Sequence, residues 1–574
     1  MGLHITLFAL NSQYVHASLA PWCLKAGIAA YASLPHDVRV VEGTVNEPQE
    51  AVLERVLSTK PDLLGISCYI WNITAVRAML PALRAALPEA TIVLGGPEVS
   101  YRPADILREC PQVDAVLCGE GEQPFARLAD ALAQKDRWDG VPGLCWHAEE
   151  GLHIAEPFVH PQMPASPYGP GYWNAVRGRI AYMEASRGCP YSCAFCLSGR
   201  DGGVRFLPPE QAVQTALMLA QAGPRTVKFV DRTFNAHRAW AKDILRGLRD
   251  AALAADRPLG TFHFEIAGDL LDEETIGIVC ASPPGLFQFE IGLQSMEEAT
   301  LRAVRRVTDM QQLERMVRAL IACGTAHVHL DLIAGLPGED LPAFIRGFDE
   351  AYALRPHALQ LGFLKLLHGS AMREQPEDYP CEYDPLPPYQ VRGTPWMSGQ
   401  DLQVLSTAEH ALDKLHNSGR FPRTLSWLVE EQGLSPFALF SGLGRSIQRE
   451  EAGAGSLSLD ALTDLVMREL PAQFPLEQDP LYDLLLLDRL SAVRSHVLPE
   501  SLKAGQPRRQ EAARALERLA PRPPGSMRAM AITRSLPRQV LYCDYEARDP
   551  VTGLYEVQRL PLDALGPLAS VKSV

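Results

Sequence analysis

The chain has 574 residues, 47% of them hydrophobic and 21% charged, a mix that excludes wholesale disorder, collagen-like repeats and a long coiled coil and suits about three or four folded units. Fifty-four Lys and Arg against 68 Asp and Glu give a net charge of −14, which disfavours nucleic acid and anionic lipid as partners apart from a local basic groove. The start lacks the basic run of a secretory leader, and no stretch reaches the ~18 uninterrupted apolar residues that cross a bilayer, so a cytoplasmic protein without a membrane anchor is expected.

The first 160 residues alternate short apolar runs with helix-like segments, the pattern of a parallel sheet with crossover helices. Strands are predicted at residues 4–9, 38–42, 63–67, 91–94 and 115–118, with helical periodicity between them, as in 75–86. This reads as a Rossmann-like domain over 1–160, whose binding face lies at the carboxyl ends of the strands. The loops there are Asn11-Ser12-Gln13-Tyr14, Cys68-Tyr69-Ile70-Trp71, Gly95-Gly96-Pro97-Glu98 and Gly119-Glu120-Gly121-Glu122. No G-x-G-x2-G occurs, which weakens a nicotinamide site.

A Pro, Gly and His-rich stretch reads as a linker over 161–175. A second α/β unit is expected over 176–372, with strands at 181–184, 227–230, 262–266, 287–291, 328–333 and 359–364. Six strand–helix repeats fit a partial (β/α)6 barrel of the TIM type. From 373 to 574 the pattern is mostly helical, for example 402–415 and 459–470, and ends in an expected β-hairpin of 539–547 with 554–560. The segment 521–524 reads as a loop.

The strongest signal is Ser186-Arg187-Gly188-Cys189-Pro190-Tyr191-Ser192-Cys193-Ala194-Phe195-Cys196, a C-x3-C-x2-C run directly after the first strand of the second unit. Twelve cysteines in the whole chain are too sparse for a disulfide scaffold. Three soft thiolates on one tight loop can converge on metal. A structural zinc site normally takes four donors, and the next cysteine is Cys280. Zinc or an incidental cysteine cluster is the alternative; a 4Fe-4S cluster held by three cysteines leaves one iron for a small chelating molecule.

The run resembles the signature of the radical S-adenosylmethionine superfamily, C-x3-C-x-aromatic-C, with Phe195 at the aromatic position. The resemblance implies that Cys189, Cys193 and Cys196 hold a 4Fe-4S cluster whose open iron binds S-adenosylmethionine, which is cleaved to a 5′-deoxyadenosyl radical. An electron donor such as flavodoxin or ferredoxin is implied with it. By the same resemblance Asp231 stands where the family meets the methionine amino group, Glu265 near the ribose, Ser295 in the fourth-strand segment, Arg306 against the methionine carboxylate and Gly335 at the adenine. A Rossmann-like unit ahead of such a barrel is similar to the cobalamin-binding subclass, over about 370 residues with the barrel. It implies a corrin site with Asn11, Ser67, Gly95, Gly96 and Glu120, the small residues forming a slot for the nucleotide tail. The D-x-H-x2-G motif of other cobalamin proteins is absent, which leaves the lower cobalt ligand open, and His16 is read as structural.

The expected function is cobalamin-dependent radical methylation of a small-molecule or peptide substrate. The alternatives are a radical enzyme catalysing rearrangement or oxidation, and a non-catalytic metal-binding scaffold.

Overall fold

In the computed structural model, which describes residues 2–200, 203–519 and 527–565, the amino-terminal strands are β1 (His4–Asn11), β2 (Asp37–Thr44), β3 (Leu63–Ser67), β4 (Thr91–Gly95) and β5 (Ala115–Leu117). The loop expected at 521–524 lies outside the described residues. Two further strands, β6 (Leu144–Ala148) and β7 (Gly151–His153), extend the sheet to the order β2-β1-β3-β4-β5-β6-β7. Strands β1 to β5 pair in parallel, whereas β5, β6 and β7 pair antiparallel. This last pair was not among the expected strands; Glu149-Glu150 is the turn at the tip of its hairpin.

Leu63–Ser67 is buried along its whole length, the signature of a central parallel strand covered on both faces. One core gathers around Ile66, Val76, Leu80 and Leu94 and the other around Leu7, Val93, Phe125 and Leu128. With helices occupying both faces of the sheet, the carboxyl ends of its strands remain as the place for a ligand.

The expected linker ends in a helix, Pro170–Val176, begun by a proline at its first turn. Buried Tyr172 on it donates its hydroxyl to Tyr182 O at 2.7 Å. Strands β8 (Ile180–Met183), β9 (Ser186–Arg187), β10 (Arg205–Phe206), β11 (Thr226–Phe229), β12 (Thr261–Ile266), β13 (Phe287–Gln294), β14 (Ala326–Ala334) and β15 (Ala358–Phe363) follow. Six of them form one sheet in the order β15-β14-β13-β12-β11-β8, the partial barrel that the spacing predicted. Both β13 and β14 alternate strictly between buried and half-buried positions, as a period of two requires when one face meets helices and the other the barrel interior. Phe229, Phe234 and Phe264 pack ring to ring at 4.3–5.6 Å beneath β11 and β12.

The carboxyl-terminal region carries the helices Gly399–Leu412, Pro436–Ala454, Leu459–Gln473, Gln478–Ala492 and Arg509–Leu519. Ser398, Ser435 and Ser458 cap the first three through their side chains, each satisfying an otherwise orphaned backbone N–H. The expected hairpin is one half of a three-stranded sheet, in which Gln539–Cys543 pairs antiparallel with both Ala529–Ile532 and Gln558–Pro561. Among the described residues no helix is long and apolar enough to cross a membrane.

The chain forms two compact units, one of Met1–Phe289 with Arg302–Asp309 and Phe363–Pro395, the other of Glu290–Leu301, Met310–Gly362 and Trp396–Val574. The site described next lies wholly in the first.

Candidate functional site

The cysteine loop leaves β9 and returns through β10, the two strands pairing antiparallel across its base. Gly188 takes φ +102°, and a Cβ there would fall 2.3 Å from Gly203 O, so no larger residue fits ahead of Cys189. Cys196 N donates to Cys193 O at 3.0 Å, Ala194 N to Val304 O at 2.9 Å and Met372 N to Ala194 O at 3.0 Å, which fix the loop on both sides. Cys189, Cys193 and Cys196 are each partly exposed, as is Phe195. Burial pushes the Cys193 thiol up, Arg306 pulls it down by charge and hydrogen bond, and Cys196 and Cys189 add to the rise. The three thiols therefore feel one another, and Arg306 stands beside the middle one. Among the described residues no three His, Cys, Asp or Glu side chains close on a single ion.

Asp231 departs from expectation. Fully buried, it accepts from Ser186 Oγ at 2.5 Å and from Ala185 N at 3.1 Å, so its carboxyl ties β11 to the base of the cysteine loop instead of presenting itself to a ligand. Burial raises it to about 7 against the pull of those bonds. The folded state thus holds the proton more tightly than the unfolded chain, and stability falls as pH rises from about 4 through 7. Asp231→Asn is expected to flatten that decline, measured as urea stability at pH 5 and pH 7.5 in both proteins.

A cavity of ≈ 690 Å³ opens beside the loop, within the range of roughly 300–1,000 Å³ that small-molecule sites occupy. Asn11, Ser67, Gly95, Gly96 and Glu120 line it from the carboxyl ends of β1, β3, β4 and β5. Gly188, Leu197 and Ser198, which flank the cysteines, line the opposite side with Tyr182 and Arg232. The five residues singled out in the first domain are thus brought together. Gly96 has φ +109° and a Cβ there would meet Cys68 O at 2.5 Å; Gly96→Ala is expected to cost about 1–3 kcal/mol, measured by urea denaturation followed through tryptophan fluorescence.

The cavity wall carries charge. Arg187 donates to Glu184 at 2.6 Å and to Glu122 at 2.8 Å and approaches Glu120 at 3.3 Å. Arg205 donates twice to Glu120, and His160 N donates to the same carboxylate at 3.1 Å. The Glu120 side chain is therefore engaged by protein groups on the cavity wall. Burial alone would raise its carboxyl, but Arg205 and Arg187 hold it below the ordinary value.

The other expected residues are placed as follows. Asn11 donates to Glu42 at 3.4 Å. Glu265 pairs with Lys228 at 3.3 Å. Ser295 and Gly335 belong to the second unit. There Ser295, 1% exposed, donates to Glu339 at 2.6 Å and accepts from Glu297 N at 3.0 Å, so its hydroxyl is engaged within the protein. Gly335 takes φ +89° after β14.

Sequence reasoning gave several cavity residues no site role, although it placed Tyr69 and Trp71 in a loop of the binding face. His16, read as structural, lines the cavity and shares a 2.6 Å hydrogen bond with Tyr182; burial first, then Lys228 and Arg179, hold its imidazole below the usual range. Tyr69 and Trp71 stack at 4.4 Å and 5° on the loop after β3, and buried Asn72 shapes that loop by donating to Leu10 O and Ser67 O, each at 3.0 Å. Their position after a strand end was the available signal.

Three family models match in succession: the B12 binding domain over residues 8–129, the radical SAM superfamily over 183–346, and a protein of unknown function, DUF4080, over 377–523. The cobalamin-dependent radical SAM methyltransferase TokK of Streptomyces tokunonensis is 25% identical over 421 residues, 67% of this chain and 61% of TokK. The 2-(S-pantetheinyl)-carbapenam-3-carboxylate methyltransferase of Streptantibioticus cattleyicolor is 29% identical over 305 residues, 50% of this chain and 44% of that protein. The chain spans about half the length of the curated relatives it matches. The solved structure of the cobalamin-dependent S-adenosylmethionine radical enzyme OxsB, with aqua-cobalamin and S-adenosylmethionine bound, superposes with a TM-score of 0.59 at 15% identity, covering 84% of this chain and 78% of OxsB, a likeness of fold.

Proposed function

We propose that the chain, which matches the radical SAM superfamily model with a B12 binding domain ahead of it and a DUF4080 region behind it, is a cobalamin-dependent enzyme that reductively cleaves S-adenosylmethionine and methylates an unactivated carbon of a small molecule. The observation that carries this reading is the cavity wall, shared by the cysteine loop's Gly188, Leu197 and Ser198 and by Ser67, Gly95 and Gly96 at the strand ends of the B12-binding domain.

The residues present fit the groups required. Cys189, Cys193 and Cys196 offer three soft donors on one loop, and an iron cube takes thiolates at separate corners, unlike a single zinc ion. The small side chains at the ends of β3 and β4 leave room for a large ligand to approach the backbone. When bound, the cluster supplies an electron to the sulfonium of S-adenosylmethionine, and cobalamin carries the methyl group. The chain's own part is to hold and enclose. Asp231 and Thr233 grip the cysteine loop, the latter with its hydroxyl 3.5 Å from Cys189 Sγ. The Arg187 network joins that loop to the turn after β5 and closes the cavity wall, which keeps water from a reactive intermediate. The substrate named for the carbapenam relative is a small molecule, which supports that class here. A low-potential donor such as flavodoxin or ferredoxin would deliver the electron.

The test is anaerobic reconstitution with iron, sulfide and hydroxocobalamin, followed by dithionite and S-adenosylmethionine. Release of 5′-deoxyadenosine supports the radical step, and S-adenosylhomocysteine formed alongside it supports methyl transfer. Wild-type protein with an assembled cluster that yields no 5′-deoxyadenosine overturns the reading; 5′-deoxyadenosine with a rearranged or oxidised product and no S-adenosylhomocysteine overturns the methylation.

A further inference from the structure

We infer that Arg232 is a binding residue for an oxyanion, a carboxylate or phosphate, on the substrate that enters the shared cavity. The segment leaving β11 divides its side chains by direction. Asp231 is buried on Ala185 and Ser186, and Thr233 reaches Cys189 at 3.5 Å, so both turn toward the cysteine loop. Arg232, between them, is exposed and lines the cavity. The chain turns at Arg232 and Thr233 before the short helix Phe234–Ala236.

Three arginines line the cavity: Arg187, Arg205 and Arg232. The first two are consumed by Glu120, Glu122 and Glu184. Arg232 makes no side-chain hydrogen bond or ion pair with any described residue. Its charge acts across the cavity on Tyr69, where it works against the burial that raises that phenol. A guanidinium presents a planar fork of donors that matches carboxylate or phosphate in two parallel bonds, and a cavity of this kind fixes orientation with a few such groups.

The anion is assigned to substrate on placement and chemistry. The carboxylate of S-adenosylmethionine has a candidate partner in Arg306, which acts on Cys193 by charge and hydrogen bond, whereas Arg232 opens into the cavity. Cobalamin's periphery is made of neutral amide arms, and its one phosphodiester lies on the nucleotide tail, for which the slot at Ser67, Gly95 and Gly96 is suited. This assignment rests on the reading given under Proposed function; the presence of an anion site does not.

Isothermal titration of the reconstituted full chain with inorganic phosphate and with acetate, in wild type, Arg232→Gln and Arg232→Lys, tests it. In parallel, S-adenosylmethionine affinity and hydroxocobalamin uptake are measured in the same proteins. Phosphate or acetate affinity falling about tenfold in the Gln variant and held within about threefold in the Lys variant, with cofactor affinities unchanged, supports the proposal; the tighter of the two anions identifies the substrate group. Equal anion affinity in wild type and Arg232→Gln overturns it. A loss of S-adenosylmethionine or cobalamin affinity as large as the loss of anion affinity also overturns it, giving the guanidinium to a cofactor. Absence of 5′-deoxyadenosine from the wild type would strike the function proposed above and leaves the anion titrations, which need no turnover, to decide Arg232.

Discussion

Cys193→Ala protein, reconstituted as the wild type, is expected to release 5′-deoxyadenosine at least about a thousandfold more slowly, equivalent to roughly 4 kcal/mol in the barrier, and to lose the visible absorption of a bound cluster. Three ligands is the smallest set that holds the cluster and leaves one iron open, so each thiolate is indispensable. Cys193 is the middle thiol of the three, acted on by Arg306 and by both other thiols. Cys381→Ala is the control: it removes a partly exposed thiol outside the signature and is expected to leave both readouts at wild-type level. Retained 5′-deoxyadenosine formation in Cys193→Ala would dissociate the reaction from this loop.

The second large effect is expected at Arg187. Arg187→Leu leaves Glu184 and Glu122 without their arginine and Glu120 with Arg205 alone, in a wall where Arg187 is 17% and Glu122 8% exposed. Breaking a buried pair by removing one partner costs about 3–5 kcal/mol, because the remaining charge stays buried. The pH dependence distinguishes this from lost packing. In the wild type Glu120 sits below its ordinary value, so it contributes stability above the unfolded carboxylate pKa that is lost as pH falls through the folded one. In the variant Glu120 loses the pull of Arg187, takes its proton sooner and sheds part of its burial cost. The deficit of Arg187→Leu against wild type is thus expected to shrink between pH 7.5 and pH 5, measured by urea denaturation. A deficit that stays constant over that range would assign the loss to packing. The same variant is expected to disturb the cysteine loop, since Arg187 lies two residues before Cys189.

Much of the architecture is local information. The alternation of apolar runs with amphipathic segments sets the parallel strands of both α/β units, because a parallel strand covered on both faces must be apolar throughout and its crossover helix must be apolar on one side. The antiparallel pair β6 and β7 escaped the pattern because two glutamates interrupt a run that pairs across them. The carboxyl-terminal strand Ala529–Ile532 escaped as well. It is short, and it becomes a strand only by pairing with Gln539–Cys543.

The same division holds within the site. The spacing of Cys189, Cys193 and Cys196 is legible in one dimension because the three thiols share a loop, and so is the glycine ahead of them, which the turn demands. Asp231, Glu120 and Ser295 are different. Each has its polar atoms engaged by a group distant in the chain: Ser186 lies 45 residues from Asp231, Arg205 lies 85 from Glu120 and Glu339 lies 44 from Ser295. The partner of a charged residue at a strand end depends on which loop the fold brings across it, and His16 meets Tyr182 over 166 residues. Sequence alone determined the spacing of the three thiols on the cysteine loop and the order of the α/β units, since both are read from spacing and periodicity. Only the tertiary structure decided which carboxylates became struts and which cavity arginine has no ion pair among the described residues, because burial and pairing are properties of the assembled surfaces.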